Sequence, residues 1–329
     1  MAILAAATVA ALTGLGQVVA PATPIVAGPT AAVTATDSPS KPVQPAPGTD
    51  AFAGVSIMLL GDSLAAGEGA GSYFSGTDQP HQRCHRSAAG WFSGTAADVT
   101  NAGCSRAIIR NLDSGQQHAE FNARAEPAQF EATSAETPDI TLVMLGGNDI
   151  RFAEIFNECV LSDADCTSDG AFTSGALRSA GALTDALAGA YRRVADRVDG
   201  KTVLAPAYPQ LLGEGASGGC GRISPAEAIF ARALIAALND SVRAAAEEAA
   251  KTYADIRFVP ATEDALAGHG ACDPEPYVHT VLPTALIDAA HKQSAAQELL
   301  HPNADGYVRL TESLTGWLAS NPSIVTTAP

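Results

Sequence analysis

Residues 55–69 read VSIMLLGDSLAAGEG: an apolar run from Val55 to Leu60 that stops at Gly61-Asp62-Ser63 and gives way to small residues and glycines. A continuous apolar run of this length, closed by a turn signal, predicts a strand buried on both faces, as in a parallel sheet covered by helices. Gly61 permits a tight turn, and Leu64-Ala65-Ala66 can start a helix whose amide N–H groups face the strand end. Ser63 then stands at the carboxyl edge of a strand, where open α/β sheets hold their ligands. Alone, the stretch is more often a structural glycine-rich turn than a catalytic one, so its meaning depends on what else reaches that edge.

Similar runs recur along the chain. Ile140 to Leu145 (ITLVML), Lys201 to Ala205 (KTVLA) and Ile256 to Val259 (IRFV) read as further strands, with a shorter one at Asp98 to Asn101. Between them lie helical patterns: Ala176 to Val198, then Pro225 to Tyr253 with Ser224 as N-cap. Asn303 is placed to cap a last helix over Ala304 to Leu318. Strands alternating with helices predict the α/β class, a three-layer α/β/α sandwich around a parallel sheet. The glycine-bearing stretches after Leu60 and after Leu145 both fall at its carboxyl edge.

The 329 residues carry 35 acidic against 19 basic side chains, a net charge of −16. That balance argues against a nucleic-acid partner and against an anionic membrane surface, both of which need a basic footprint. The first residues, MAILAAATVAALTGLGQVVA, are apolar and alanine-rich, although no Lys or Arg precedes Lys41. Gly14, Gln17 and Pro21 break the run before it reaches the roughly 20 residues of a membrane span. A cleaved signal peptide over residues 1–27 is expected, with Ile25-Val26-Ala27 as a candidate cleavage site. A disordered Pro/Ala/Thr-rich linker is expected over 28–51, one folded domain over 52–321 and a short tail over 322–329.

Cys84, Cys104, Cys159, Cys166, Cys220 and Cys272 form an even set of six, which in a secreted chain implies disulfides with about 15 possible pairings. Sequence order hints at local pairing, 84 with 104, 159 with 166 and 220 with 272. His81, Cys84 and His85 lie close together, but no C-x-x-C pair accompanies them, which disfavours a metal.

Four short stretches carry chemistry. A serine hydroxyl attacks only if a base takes its proton and donors stabilise the oxyanion that results. Around Ser63 the α/β-hydrolase elbow G-x-S-x-G is broken by Ala65. Gly67, Gly69 and Gly71 have the wrong spacing, and come too late, for a dinucleotide fingerprint. Asn148, in Gly146-Gly147-Asn148-Asp149, carries an amide able to donate to an oxyanion, although Gly, Asn and Asp are also the commonest turn formers. Gly103, in Asn101-Ala102-Gly103-Cys104-Ser105, can bring a backbone N–H close to a ligand, the other reading being a turn that only positions Cys104. His301, in Glu298-Leu299-Leu300-His301-Pro302-Asn303, precedes a helix start and has an acid three residues before it; His85 and His269 compete as bases. Asp62 is read as satisfying turn N–H groups rather than as a catalytic acid.

Taken together, the four stretches resemble the SGNH hydrolases, also called GDSL esterases and lipases, with Ser63, Gly103, Asn148 and His301 in the family's order from Val55 to Leu318. Cys84-His85-Arg86-Ser87, Gly268-His269-Gly270-Ala271-Cys272 and the cysteine order are similar to secreted bacterial members with three disulfides. The resemblance implies a flavodoxin-like sandwich and a secreted serine esterase or lipase hydrolysing carboxylic esters through an acyl-enzyme. Ser63 would be the nucleophile and His301 the general base, with an oxyanion hole from Ser63, Gly103 and Asn148. It implies no metal and no cofactor, a small-molecule or lipid ester as substrate, no stable membrane span, and a monomer. Two departures stand out. Glu298 occupies the position where many members have Asp, so the acid that orients His301 is either Glu298 or a main-chain carbonyl. Arg106 replaces a glycine of the second block, either facing an anionic group or simply solvated. Phospholipid deacylation and polysaccharide deacetylation stay open, as does a non-catalytic lipid- or glycan-binding surface protein on the same fold.

Overall fold

The computed structural model describes residues 49–79, 83–117, 125–131, 137–282, 284–286 and 293–322. The chain divides between Pro42 and Val43, and all described residues belong to the C-terminal unit. The expected signal segment, most of the linker, nearly all of the tail and His81 lie outside the described residues.

Among the described residues, five strands form one parallel sheet. They are β1 (Ser56–Gly61), β2 (Asp98–Asn101), β3 (Ile140–Met144), β4 (Thr202–Pro206) and β5 (Ile256–Val259), in the order β2-β1-β3-β4-β5. This is the flavodoxin-like doubly wound order, with its switch point between β1 and β3. Each strand begins within one residue of its expected start. β3 and β4 are buried throughout, and β1 is buried from Ile57 onward, which explains why these runs show no polar alternation. The register pairs Leu59 with Asn101 and Gly61 with Met144, so β1, β2 and β3 deliver their following turns to one edge.

Among the described residues the principal α-helices are α1 (Ser63–Ala66), α2 (Phe152–Phe156), α3 (Gly170–Gly181), α4 (Thr184–Arg197), α5 (Pro225–Ala250), α6 (Gln293–Glu298) and α7 (Ala304–Ser320). The single helix expected over Ala176 to Val198 is two. Asp169 starts α3 early by accepting from the Ala171 and Phe172 N–H groups, and the chain breaks after Gly181. Because α3 and α4 both pack on α5, the apolar periodicity runs through the break and hides it. α5 opens with a reciprocal cap between Ser224 and Glu227, with Pro225 in the first turn. Asn303 caps α7 by accepting from the Gly306 N–H at 3.0 Å. The cysteines pair 84–104, 159–166 and 220–272, as their order hinted. No helix among the described residues is long and apolar enough to cross a membrane.

Candidate active site

The Ser63 turn is fixed by contacts that only its own residues permit. Gly61 has φ of 143°, and a Cβ there would meet the Met144 carbonyl oxygen at 2.1 Å, so glycine is what lets β1 end against β3. The Gln129 amide bridges this residue, accepting from the Gly61 N–H at 2.8 Å and donating to its carbonyl at 2.7 Å. Asp62 caps α1 through the Leu64 N–H at 3.0 Å, as expected of a turn carboxylate. Its other oxygen accepts from the Tyr208 hydroxyl at 2.5 Å, and that hydroxyl accepts from the Gly147 N–H at 3.2 Å. Asp62 therefore ties the serine turn to the turn after β3. Burial pushes its carboxyl up to about 7, and burial with the Asp62 charge pushes the Tyr208 phenol well above its ordinary range.

Ser63 is the first residue of α1, and its hydroxyl lies 2.8 Å from His301 Nε2. His301 Nδ1 lies 3.1 Å from the Leu299 carbonyl oxygen. A carbonyl can only accept, so Nδ1 carries the proton and Nε2 accepts from the serine hydroxyl. Burial lowers the His301 pKa, against the opposing influence of the Glu68 charge and the Leu299 carbonyl. The ring is thus held in its neutral form with its lone pair on the hydroxyl, an arrangement suited to drawing off the serine proton.

The other expected site residues are placed less simply. The Glu298 carboxylate accepts from the Tyr73 hydroxyl at 2.7 Å, and the hydrogen-bond position on His301 Nδ1 is filled by the Leu299 carbonyl instead. The reason is local: Leu300 has φ of 57°, and this left-handed turn between acid and histidine brings the carbonyl to the ring. Gly103 follows β2 and packs so tightly on α1 that a Cβ would meet the Ala66 nitrogen at 2.7 Å; its N–H donates to Asn101 Oδ1 at 3.0 Å. Asn148 Nδ2 donates to the Ala107 carbonyl at 3.0 Å, which engages one of its two amide hydrogens. Arg106 is exposed, with φ of 69°. His269 pairs with the Glu275 carbonyl at 2.8 Å and stacks on Tyr277, whereas His85 is buried between Glu68 and Asp78. Sequence reasoning missed Tyr73, Tyr208, Gln129 and Glu68; their signal was only a polar group beside a turn.

An apolar pocket with room for about 60 Å³ is lined by Phe152, Ile155, Phe156, Val160, Phe230 and Leu300 among others. Leu300 is both part of its wall and the residue before His301. Among the described residues the one cluster with metal-ligand types is Cys159, Cys166 and Glu227, and its cysteines are joined in a disulfide, which leaves no thiolate to ligate.

A family model, the GDSL-like lipase/acylhydrolase family, matches residues 59–309. Lipase 1 of Streptomyces coelicolor is 27% identical over 248 residues, covering 73% of this chain and 81% of that protein. Lipase 2 of the same organism is 28% identical over 275 residues, covering 78% and 83%. Among solved structures, an extracellular lipase from Streptomyces rimosus superposes with a TM-score of 0.57 at 23% identity, covering 81% of this chain and 99% of that one. A phospholipase A1 from Streptomyces albidoflavus gives 0.57 at 22% identity, covering 81% and 98%. The strand order and these likenesses agree on the fold, and with the family match over most of the chain they establish that it belongs to the GDSL-like lipase/acylhydrolase family and is a hydrolase of the lipase and esterase class.

Proposed function

We propose that this hydrolase is a secreted serine esterase or lipase in which Ser63 and His301 act as a dyad on carboxylic esters. The 2.8 Å contact between the Ser63 hydroxyl and His301 Nε2 carries this reading. Ser63 Oγ attacks the ester carbonyl carbon while its proton passes to Nε2, forming a tetrahedral oxyanion. Collapse breaks the bond to the alcohol oxygen, which leaves with the proton from His301. Water then attacks the acyl-enzyme, again giving its proton to Nε2; the carboxylic acid departs and Ser63 is restored.

The oxyanion would be met by the Ser63 and Gly103 N–H groups and the Asn148 amide. In the free enzyme the Gly103 N–H is turned to Asn101 Oδ1, so substrate must share or displace that bond. The Leu299 carbonyl holds the imidazole tautomer, and Glu298 contributes charge rather than a hydrogen bond to the ring. The pocket walled by Leu300 offers an apolar wall to an acyl group, because most of its lining is aliphatic or aromatic. Secretion is supported by the three disulfides and by the apolar N-terminal run.

Hydrolysis of p-nitrophenyl esters, compared with Ser63→Ala, tests the reading: the variant should lose the activity, and equal rates end the proposal. A fluorophosphonate should label the wild type at Ser63. A folded wild type that neither hydrolyses nor labels would instead be a non-catalytic lipid- or glycan-binding protein.

A further inference from the structure

Three features stand outside the reaction just described: the glycine-flanked Glu68, the Cys84-His85-Arg86-Ser87 stretch, and Gln297 near the end of α6. They meet in one buried cluster. Glu68 is fully buried, and its Oε1 lies 2.6 Å from His85 Nδ1. Its Oε2 accepts from the Ser105 hydroxyl and, at 2.8 Å, from Gln297 Nε2. His85 is also fully buried, with Nε2 3.1 Å from Asp78 Oδ1 and Tyr73 stacked on the ring at 4.3 Å. A carboxylate on each ring nitrogen makes both nitrogens donors, which is the pattern of an imidazolium. Burial opposes that charge, but the hydrogen bond and charge of Glu68, with the charges of Asp78 and Glu298, outweigh it and raise the His85 pKa.

This cluster grips the segment that carries His301. Gln297 donates to Glu68 and, at 3.0 Å, to the Arg83 carbonyl. Tyr73 donates to Glu298 and accepts from the Gly69 N–H at 3.0 Å. Gly69, with φ of 87°, lies so close to the histidine that a Cβ would meet the Pro302 carbonyl oxygen at 2.5 Å and His301 Cβ at 3.0 Å. Its carbonyl pairs with His279 Nε2 at 2.8 Å, and the His279 main chain bonds His301 and Leu300 in turn. From α7, Tyr307 donates to the Glu68 carbonyl at 3.0 Å. The Cys84–Cys104 bridge flanks the cluster, joining the neighbour of His85 to the neighbour of Ser105.

We propose that Glu68 and His85 form a buried ion pair that positions His301, and that Glu68 supplies from the interior the negative charge a hydrogen-bonded triad carboxylate would otherwise supply. Both are positioning residues, and the proposal rests on the serine-hydrolase reading of Ser63 and His301. The groups facing His301 are Glu68, Glu298, His279 and the Ser63 hydroxyl; those facing His85 are Glu68, Asp78, Glu298 and Tyr73. Burial is the main influence on His301 and disfavours the imidazolium, while Glu68 is the foremost group favouring it. An unpaired carboxylate at the depth of Glu68 is costly, which gives His85 its role as counter-ion.

Glu68→Gln keeps the size and an acceptor but removes the charge. It should lower kcat about 10- to 100-fold, with KM changed less than about twofold, through misplacement of the base. The acid limb of its kcat/KM profile should move to lower pH, because His301 loses the charge that favours its protonated form; a merely structural role would leave that limb in place. Gln297→Leu severs the tie but keeps the ion pair, so kcat should fall while the limb stays. Nitrogen-15 spectra of the wild-type imidazoles should show His85 doubly protonated at pH 6. If Glu68→Gln fails to fold, a full-rate Gln297→Leu enzyme or a neutral His85 at that pH overturns the proposal. A wild type inert to p-nitrophenyl esters and fluorophosphonate removes the hydrolase reading beneath it. An active wild type whose Glu68→Gln variant keeps both kcat and acid limb removes the positioning proposal alone.

Discussion

At the scale of single residues, the informative comparison is between His301, which the sequence offered as a base and which lies 2.8 Å from the Ser63 hydroxyl, and its orienting group, which sequence left open. A histidine before a capped helix with an acid three residues earlier is a pattern visible in the letters. Whether that acid reaches the ring depends on one backbone torsion, the left-handed Leu300, which is no more foreseeable than any non-glycine residue with positive φ. Asp62 was legible for a complementary reason, since a carboxylate two residues before an N–H in a tight turn has little choice of partner. The Glu298 question has a direct measurement. Where a carboxylate truly holds a catalytic histidine, replacing it by the amide drops kcat by about 10⁴. Glu298→Gln retains an acceptor for Tyr73 and leaves the Leu299 carbonyl untouched, so its kcat should fall by less than about tenfold. A loss near 10⁴ on p-nitrophenyl esters would make Glu298 the triad acid and displace the carbonyl from that role.

At the scale of elements, the strands were legible because both faces are covered, so their sequences are continuous apolar runs with glycine at the edge that matters. The break between α3 and α4 was not, because two helices lying on the same partner share one apolar rhythm. The turn after β3 shows what the strand arrangement does for chemistry. Gly147 donates to Tyr208, which donates to Asp62, so the turns after β1 and β3 are coupled through one phenol. Asn148 is the next residue, and its amide is held by the Ala107 carbonyl from the loop after β2. An amide already held by one hydrogen bond loses little entropy on meeting an oxyanion, the condition under which such a donor is most effective. Asn148→Ala should therefore lower kcat by about 10²–10³ while leaving KM for p-nitrophenyl esters near the wild-type value. An unchanged kcat would exclude Asn148 from the oxyanion site and leave it as a turn residue.

At the scale of the whole molecule, the three disulfides differ in the length of chain they close and in what they lie beside. All three pairings followed sequence order, so each closes a loop without crossing another, and the loops differ widely in length: 7, 20 and 52 residues of separation. If the bridges act mainly on the unfolded chain, their contributions should rank with loop length, about 2, 3 and 4 kcal/mol for 159–166, 84–104 and 220–272 under the chain-entropy model. Activity should rank differently. The 84–104 bridge lies between the His85 loop and the Gly103 turn, next to Ser105 and its contact with Glu68. The 220–272 bridge joins the segments that follow β4 and β5, which in strand order lie on the side of β3 opposite to β1 and β2. Paired Cys→Ala variants, compared by urea unfolding and by ester hydrolysis under native conditions, separate the two effects. Loss of 220–272 should cost the most stability with activity largely retained, and loss of 84–104 should cost less stability but more kcat. If activity and stability instead fall in the same order across the three variants, the bridges act only as staples and 84–104 has no special relation to the site.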